Sequence, residues 1–366
     1  MKKTLFIILI IAALTLISCA GPCADGHVDA DGDMLCDVCE AKFSGETPAD
    51  PETPDTPDEP DEPDEPVCEH SYVEIEKIEP LVLKDGATVY KCSLCEGTYS
   101  EPIPMTKSLK VLAIGNSFSV DAVTYLWDIC KSAGVTNLVI GNAQIGGCSI
   151  DMHFSYMVNK NATYQYTKYT KKGTEVKENV RADVALLDED WDVIITQQLS
   201  QYAGKPSSFG YFDNLIEYIS KKCPDAEIYW HMTWAYQEGI TKSGYEYYNN
   251  DQMTMYNAIV ETVNSTVLAR SAIKGVIPAG TAMQNLRTSS IGDNVTRDGY
   301  HAALDVGRMT ISLTWYATLT GGSLDLVDWM PSGSNGIAVK NNYSLILEAV
   351  GNAIEKPYEV TQSKNK

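Results

Sequence analysis

Lys110-Val-Leu-Ala-Ile-Gly-Asn-Ser-Phe-Ser119 decides how this chain folds. Its apolar run, Val111 to Ile114, has the length and flanks of a buried parallel strand. Gly115-Asn116 breaks the run, and the amphipathic segment Phe118–Lys131 reads as a helix. Strand, tight turn, serine, helix places the Ser117 hydroxyl at the carboxyl edge of an α/β sheet, where a helix amino terminus favours negative charge. Serines that merely cap helices share this setting. The stretch by itself therefore fixes a fold class and only suggests a chemistry.

The same alternation continues outward. Short apolar runs at Leu109–Ile114, Asn137–Ile140, Val193–Thr196, Glu227–His231 and Gly275–Ile277 read as strands. Helical patterns fall between and after them, at Phe118–Lys131, Phe209–Lys222, Tyr247–Ala269, Ala302–Leu319 and Ser344–Ile354. Repeated β-α units predict an α/β fold over residues 106–356, a three-layer α/β/α sandwich around a central parallel sheet of the flavodoxin-like kind. Tyr164–Val176, rich in Tyr, Thr and Lys, reads as an inserted hairpin, and residues 357–366 as a disordered tail.

Ahead of that domain the composition changes several times. Residues 1–19 have a basic start, an apolar run and small residues at the end, the pattern of an export signal rather than a fold element. Leu16-Ile-Ser-Cys19 resembles the lipobox of bacterial lipoproteins. That implies a lipid on the Cys19 thiol and a membrane anchor on the extracytoplasmic side, with plain secretion as the competing outcome. Residues 20–44 carry Cys23, His27, Cys36 and Cys39; residues 67–105 carry Cys68, His70, Cys92 and Cys95. Three sulfurs and an imidazole suit a structural zinc ion, and segments this small need a staple to fold. Disulfides compete, because the implied compartment lies outside the membrane, and free thiols are the remaining alternative. In the first set Asp29, Asp31, Asp33, Asp37 and Glu40 also fall at calcium-loop spacing, with Met34 where that loop uses glycine. Residues 45–66 are an acidic, proline-rich spacer with ten Asp/Glu between Glu46 and Pro66. The spacer supplies about half of the net charge of −21, a balance that argues against nucleic acid as a partner.

Loops at the carboxyl ends of parallel strands converge, so distant residues can meet there. Four such loops carry suggestive side chains: Ser117; Gly146 and Gly147; Gln197-Gln198-Leu-Ser-Gln201; and Asp298-Gly-Tyr-His301. Together they suit acyl transfer. Ser117 is the nucleophile, His301 the base, and Asp298 orients the base from three residues earlier. The Ser117 amide, a Gly146 or Gly147 amide and a side-chain amide of Gln198 or Gln201 are the candidate oxyanion donors. His153 and Trp234 are candidates for lining the substrate cleft, with core packing the competing assignment for Trp230, Trp234 and Tyr236.

These blocks resemble the SGNH (GDSL-type) hydrolase superfamily over roughly Leu109 to Leu319. Gly115-Asn-Ser117 matches its first block with Asn where Asp is commoner, Gly146 or Gly147 its second, and Asp298-x-x-His301 its last. The third, Gly-x-Asn-Asp, is absent, so Gln198 or Gln201 has to stand in for its asparagine amide. Gly146-Gly-Cys-Ser149, Thr233-Trp-Ala235 and Asp298-Gly-Tyr-His301 together look closest to an SGNH-like branch of exported bacterial proteins. The resemblance implies hydrolysis of small, lipid or carbohydrate esters without a catalytic cofactor. The expectation is an extracytoplasmic serine esterase acting on O-acetylated carbohydrate. The alternative is a non-catalytic, glycan-binding or adhesion lipoprotein.

Overall fold

The computed structural model describes residues 68–365. The export signal, Cys19, the set Cys23, His27, Cys36 and Cys39 with its calcium-loop alternative, and the acidic spacer all lie outside the described residues. First comes a small antiparallel sheet of β1 (Tyr72–Ile78), β2 (Gly86–Cys92) and β3 (Thr98–Ile103). Its β1–β2 loop is fastened to the larger part of the chain, with Leu83 N donating to Thr320 O at 2.9 Å and Lys107 N to Val82 O at 2.9 Å.

The larger part begins with β4 (Ser108–Gly115), α1 (Ser117–Val123), α2 (Leu126–Ser132) and β5 (Asn137–Gln144). Then follow α3 (Ile150–Val158), β6 (Tyr164–Thr170), β7 (Gly173–Val180), α4 (Ala182–Leu186), β8 (Val193–Thr196), α5 (Phe212–Lys222) and β9 (Glu227–His231). The remainder is α6 (Gln252–Thr262), β10 (Ile273–Ile277), α7 (Ala279–Arg287), α8 (Val306–Thr320), α9 (Gly333–Asn341) and α10 (Tyr343–Glu355). The seven-stranded sheet has the order β10-β9-β8-β4-β5-β6-β7. Its first five strands are parallel. Strands β4 and β8 are buried almost throughout, as a sheet covered by helices on both faces requires. One group of helices, α1, α2, α7, α8 and α10, packs together; α3, α4 and α5 form another.

This is the expected α/β sandwich, with helices α3, α4, α7 and α9 added to those expected and with three further departures. The sheet is mixed at one edge, because the predicted hairpin joins it antiparallel through β5–β6 pairing and extends to Val180. The single helix expected over Phe118–Lys131 is two. Thr124 Oγ1 bonds back to Val120 O at 2.6 Å, and the Tyr125 hydroxyl is drawn to the Leu304 carbonyl. The tail expected to be disordered is instead laced to the domain. Thr361 N donates to Asn285 Oδ1 at 2.7 Å, Ser363 N to Thr288 Oγ1 at 2.8 Å, and Ser363 Oγ to Glu348 Oε2 at 2.6 Å. Among the described residues no helix is long and apolar enough to cross a membrane.

Strand order locates the chemistry. From β4 the chain moves to β5 on one side, and later to β8, β9 and β10 on the other. The crevice at such a reversal opens at the carboxyl ends of the flanking strands. Ser117 lies at the end of β4, the Gly146–Gly147 loop at the end of β5, and Gln197 at the end of β8. A cavity of about 930 Å³, lined by Trp127, Lys131, Lys168 and Lys172 among others, lies at the opposite end of β5, away from these loops.

Candidate active site

Gly115 closes β4, and only glycine fits there: a Cβ would come within 2.7 Å of Ser119 Oγ and 3.2 Å of Gln197 Cδ. Asn116 is extended and caps α1, its side chain accepting from Phe118 N at 3.1 Å. Ser117 is the first helical residue, half-buried with its hydroxyl toward His301. Its Oγ lies 2.9 Å from His301 Nε2, and His301 Nδ1 lies 2.6 Å from Asp298 Oδ2. The carboxylate accepts from Nδ1–H, which leaves the Nε2 lone pair free to accept the serine proton. The three residues singled out from the sequence are thus brought into one hydrogen-bonded chain.

Asp298 is held as firmly as it holds. Its Oδ1 accepts from His301 N at 2.8 Å and Tyr300 N at 3.2 Å. Burial alone would raise the carboxyl, but the hydrogen bonds from the His301 ring and the two amides outweigh it and keep the group below its usual range. Gly299 takes φ +87°, and its missing Cβ leaves room for Ile240, whose Cγ2 would otherwise be 2.4 Å away. Trp234 Nε1 donates to Tyr300 O at 2.7 Å while its ring stacks on Phe118 at 4.1 Å and 4°. Trp234 is fully buried, so it supports the His301 turn from beneath rather than lining a cleft. His153 corrects a second cleft assignment: it is also fully buried, with Nδ1 3.0 Å from the Tyr164 hydroxyl. Trp230 and Tyr236 are core residues as well.

Asp121 went unnoticed in the sequence. It lies four residues after Ser117 on the same face of α1, with no solvent exposure. Its carboxylate accepts from Arg297 Nη1 at 2.9 Å, Arg308 Nε at 2.9 Å and Ala302 N at 3.0 Å. Arg297 and Ala302 bracket the turn that carries Asp298 and His301, and Arg297 N donates to His301 O at 2.9 Å. One buried carboxylate therefore binds the serine helix to the histidine turn.

The amide donors divide clearly. Among the described residues nothing accepts from Ser117 N, Gly146 N or Gly147 N. The glycine loop is tied beside the serine by Ile145 N to Gly115 O at 3.1 Å and Asn116 Nδ2 to Cys148 O at 3.0 Å. Gln198 is not available as a donor. Its Oε1 accepts from Ile150 N at 3.0 Å and Leu199 N at 2.8 Å, and its Nε2 donates to Ser208 O at 2.8 Å. Gln201 packs against Gly244, where a Cβ would meet its own at 2.5 Å. The glutamine that reaches the site is Gln197, whose Nε2 donates to Asn116 Oδ1 at 2.8 Å and whose Oε1 faces His231 Nδ1 at 3.0 Å. Burial pushes His231 down to about 3 and His153 down to about 4, so both rings are neutral.

In the small module Cys68, His70, Cys92 and Cys95 bring their ligand atoms within 4.8 Å of one another, a cluster able to hold a metal ion. Leu94 N and Gly97 N point at the Cys92 and Cys95 sulfurs at 3.3 and 3.4 Å. The Cys68 and Cys92 sulfurs are 3.9 Å apart, far from the roughly 2.05 Å of a disulfide.

Residues 110–340 match the model of a domain of unknown function, DUF4886. A solved DUF4886 family protein from Bacteroides uniformis ATCC 8492 is 39% identical, over 70% of this chain and 98% of that one, with a TM-score of 0.65. More distant are a candidate SGNH hydrolase from Slackia heliotrinireducens, 17% identical over 58% and 98% of the two chains at TM-score 0.37, and a Clostridium thermocellum family 3 carbohydrate esterase, 13% identical over 60% and 96% at 0.36. No curated protein matches the sequence.

Proposed function

The chain belongs to the DUF4886 family, and from that premise we propose that its large domain is a serine esterase. The observation that carries the reading is the unbroken chain from Ser117 Oγ through His301 to Asp298, at 2.9 and 2.6 Å. His301 Nε2 takes the hydroxyl proton as Oγ attacks the ester carbonyl. The tetrahedral oxyanion is received by the unpartnered amides of Ser117 and of Gly146 or Gly147. His301 then protonates the leaving alcohol, and the acyl group stays on Ser117. Water, deprotonated by the same ring, attacks the acyl-enzyme and releases the carboxylic acid. No cofactor is needed for any step.

The substrate we propose is an O-acylated, chiefly O-acetylated, carbohydrate outside the cell. The export signal and the lipobox-like Leu16–Cys19 support the location, with a lipid on Cys19 as the membrane anchor. The commitment of Gln198 elsewhere is what favours the second reading, a cleft that binds glycans without turnover. A fluorophosphonate probe separates the two. The esterase reading requires labelling of Ser117 and hydrolysis of a chromogenic acetyl ester, both lost in Ser117→Ala and His301→Ala. An unlabelled native chain would overturn it.

For the small module we propose structural zinc. A tetrahedral ion with Zn–S of about 2.3 Å and Zn–N of about 2.0 Å has S···S edges near 3.8 Å and S···N edges near 3.5 Å. Cys68–Cys92 at 3.9 Å and Cys95–His70 at 3.3 Å fit those edges. Four protein ligands leave no open position, so such an ion is structural.

A further inference from the structure

One wall of the site is the segment after β9. It is fixed to the histidine turn by Gln237 N to Gly299 O at 2.7 Å, Thr296 Oγ1 to Gln237 Oε1 at 3.0 Å, and Ile240 beneath Gly299. At its far end Gly244 lies on Gln201, so the wall also touches the segment that follows β8. Lys242 belongs to this fixed wall. Its Nζ sits 3.7 Å from the centre of the Tyr300 ring, and that ring lies 4.1 Å from the ring of His301. Together the two distances hold the ammonium no more than about 7.8 Å from the imidazole.

That charge has no carboxylate of its own. Among the described residues no carboxylate lies within ion-pair distance of Lys242 Nζ, whose one recorded contact is the Tyr300 ring. A cation resting on an aromatic face keeps the donors on its outer side for another acceptor. A second such pair follows along the same wall. Lys205 Nζ lies 4.2 Å from the centre of Tyr247, which is 45% exposed and stacks toward Tyr202 at 6.2 Å. Tyr248 joins the two segments, accepting from Gly204 N and donating to Gln201 O, both at 3.0 Å.

We propose that the site selects acylated acidic saccharides, with Lys242 pairing the carboxylate of the sugar that bears the ester and the Lys205–Tyr247 pair meeting the next acidic unit. This rests on the esterase reading and narrows its substrate. The test uses the full chain at low ionic strength on O-acetylated galacturonate oligomers and on O-acetylated xylo-oligomers of matched length. The expected kcat/KM favours the acidic oligomer by on the order of 10-fold, the yield of one charge-assisted contact. Lys242→Gln lowers the acidic value alone and so cuts the preference by most of that factor, and Lys242→Arg keeps it. Equal turnover of the two oligomers by the native chain, or a preference unchanged in Lys242→Gln, overturns the proposal while leaving the esterase intact. Failure to cleave any ester, with Ser117 unlabelled, sinks the parent reading and this one with it.

Discussion

Asp121 gives the sharpest test of how the two halves of the site are held together. In Asp121→Asn the volume is kept, but the guanidiniums of Arg297 and Arg308 lose their shared negative partner. Breaking a buried ion pair from one side costs about 3–5 kcal/mol. Arg297 keeps 32% and Arg308 18% of its side-chain exposure, so water recovers part of that loss and the lower end, about 3 kcal/mol, applies. For a domain of this size that corresponds to a fall in melting temperature on the order of 10 °C. The catalytic cost is separate. Ala302, which loses a charged acceptor for its amide, is the neighbour of His301, and a displacement near 1 Å typically costs about 100-fold in rate. Thermal melts and the rate of fluorophosphonate labelling, taken 20 °C or more below the melting point (roughly two such shifts), measure both effects. Labelling within twofold of the native rate would show that Asp121 steadies the fold without aligning His301. An unmoved melting point as well would remove the clamp from the account altogether.

Two more outcomes follow from buried groups and from the small module. His153 and His231 are neutral in the folded chain and take up protons on unfolding below their ordinary pKa of about 6.5. The unfolded state therefore binds more protons as pH falls from 6.5 toward 4, and stability drops by up to about 1.4 kcal/mol per pH unit for each ring. Urea unfolding at pH 7 and pH 5 reads this slope, which His231→Asn should reduce; a flat profile between those values would contradict the burial argument. For the metal, elemental analysis of the full chain should lose one zinc in Cys92→Ser, and the small sheet should become sensitive to protease. Identical zinc content in that variant would assign the four residues to another role.

The strands were legible because parallel strands buried on both faces are continuous apolar runs. Val193–Thr196 and Glu227–His231 stand at the expected bounds. Helix α7 was not legible. All nine of its residues are buried, including Thr281, Gln284, Asn285 and Arg287, so it has no polar stripe to reveal a 3.6-residue period. Those polar groups are satisfied by partners far along the chain, Gln284 by Gln252 and Asn285 by Ala349. Ser117, Asp298 and His301 could be read because each sits in a local turn with its own chemistry. Asp121, Arg297 and Arg308 could not, since isolated charges in a sequence look like solvated surface until the fold gathers them.

The glutamine segment shows most clearly where sequence reasoning stopped. Three glutamines stood within five residues, and nothing local distinguished them. Register does: Thr196 pairs with Ile114, which puts the next residue, Gln197, beside Gly115 and the serine turn. From there the hydrogen bonds run in one direction only. Cys148 O is an acceptor, so Asn116 must turn its amide nitrogen toward it and its oxygen toward Phe118 N and Gln197 Nε2. Gln197 then offers its oxygen inward, and His231, neutral, carries its proton on Nδ1 to meet it. This accounts for asparagine where the SGNH pattern more often has aspartate. A carboxylate at residue 116 would have no proton for the Cys148 carbonyl and would set two oxygens against each other beneath the glycine loop. Asn116, Gln197 and His231 therefore form a single adaptation, whose work is to hold the Gly146–Gly147 amides in place next to Ser117.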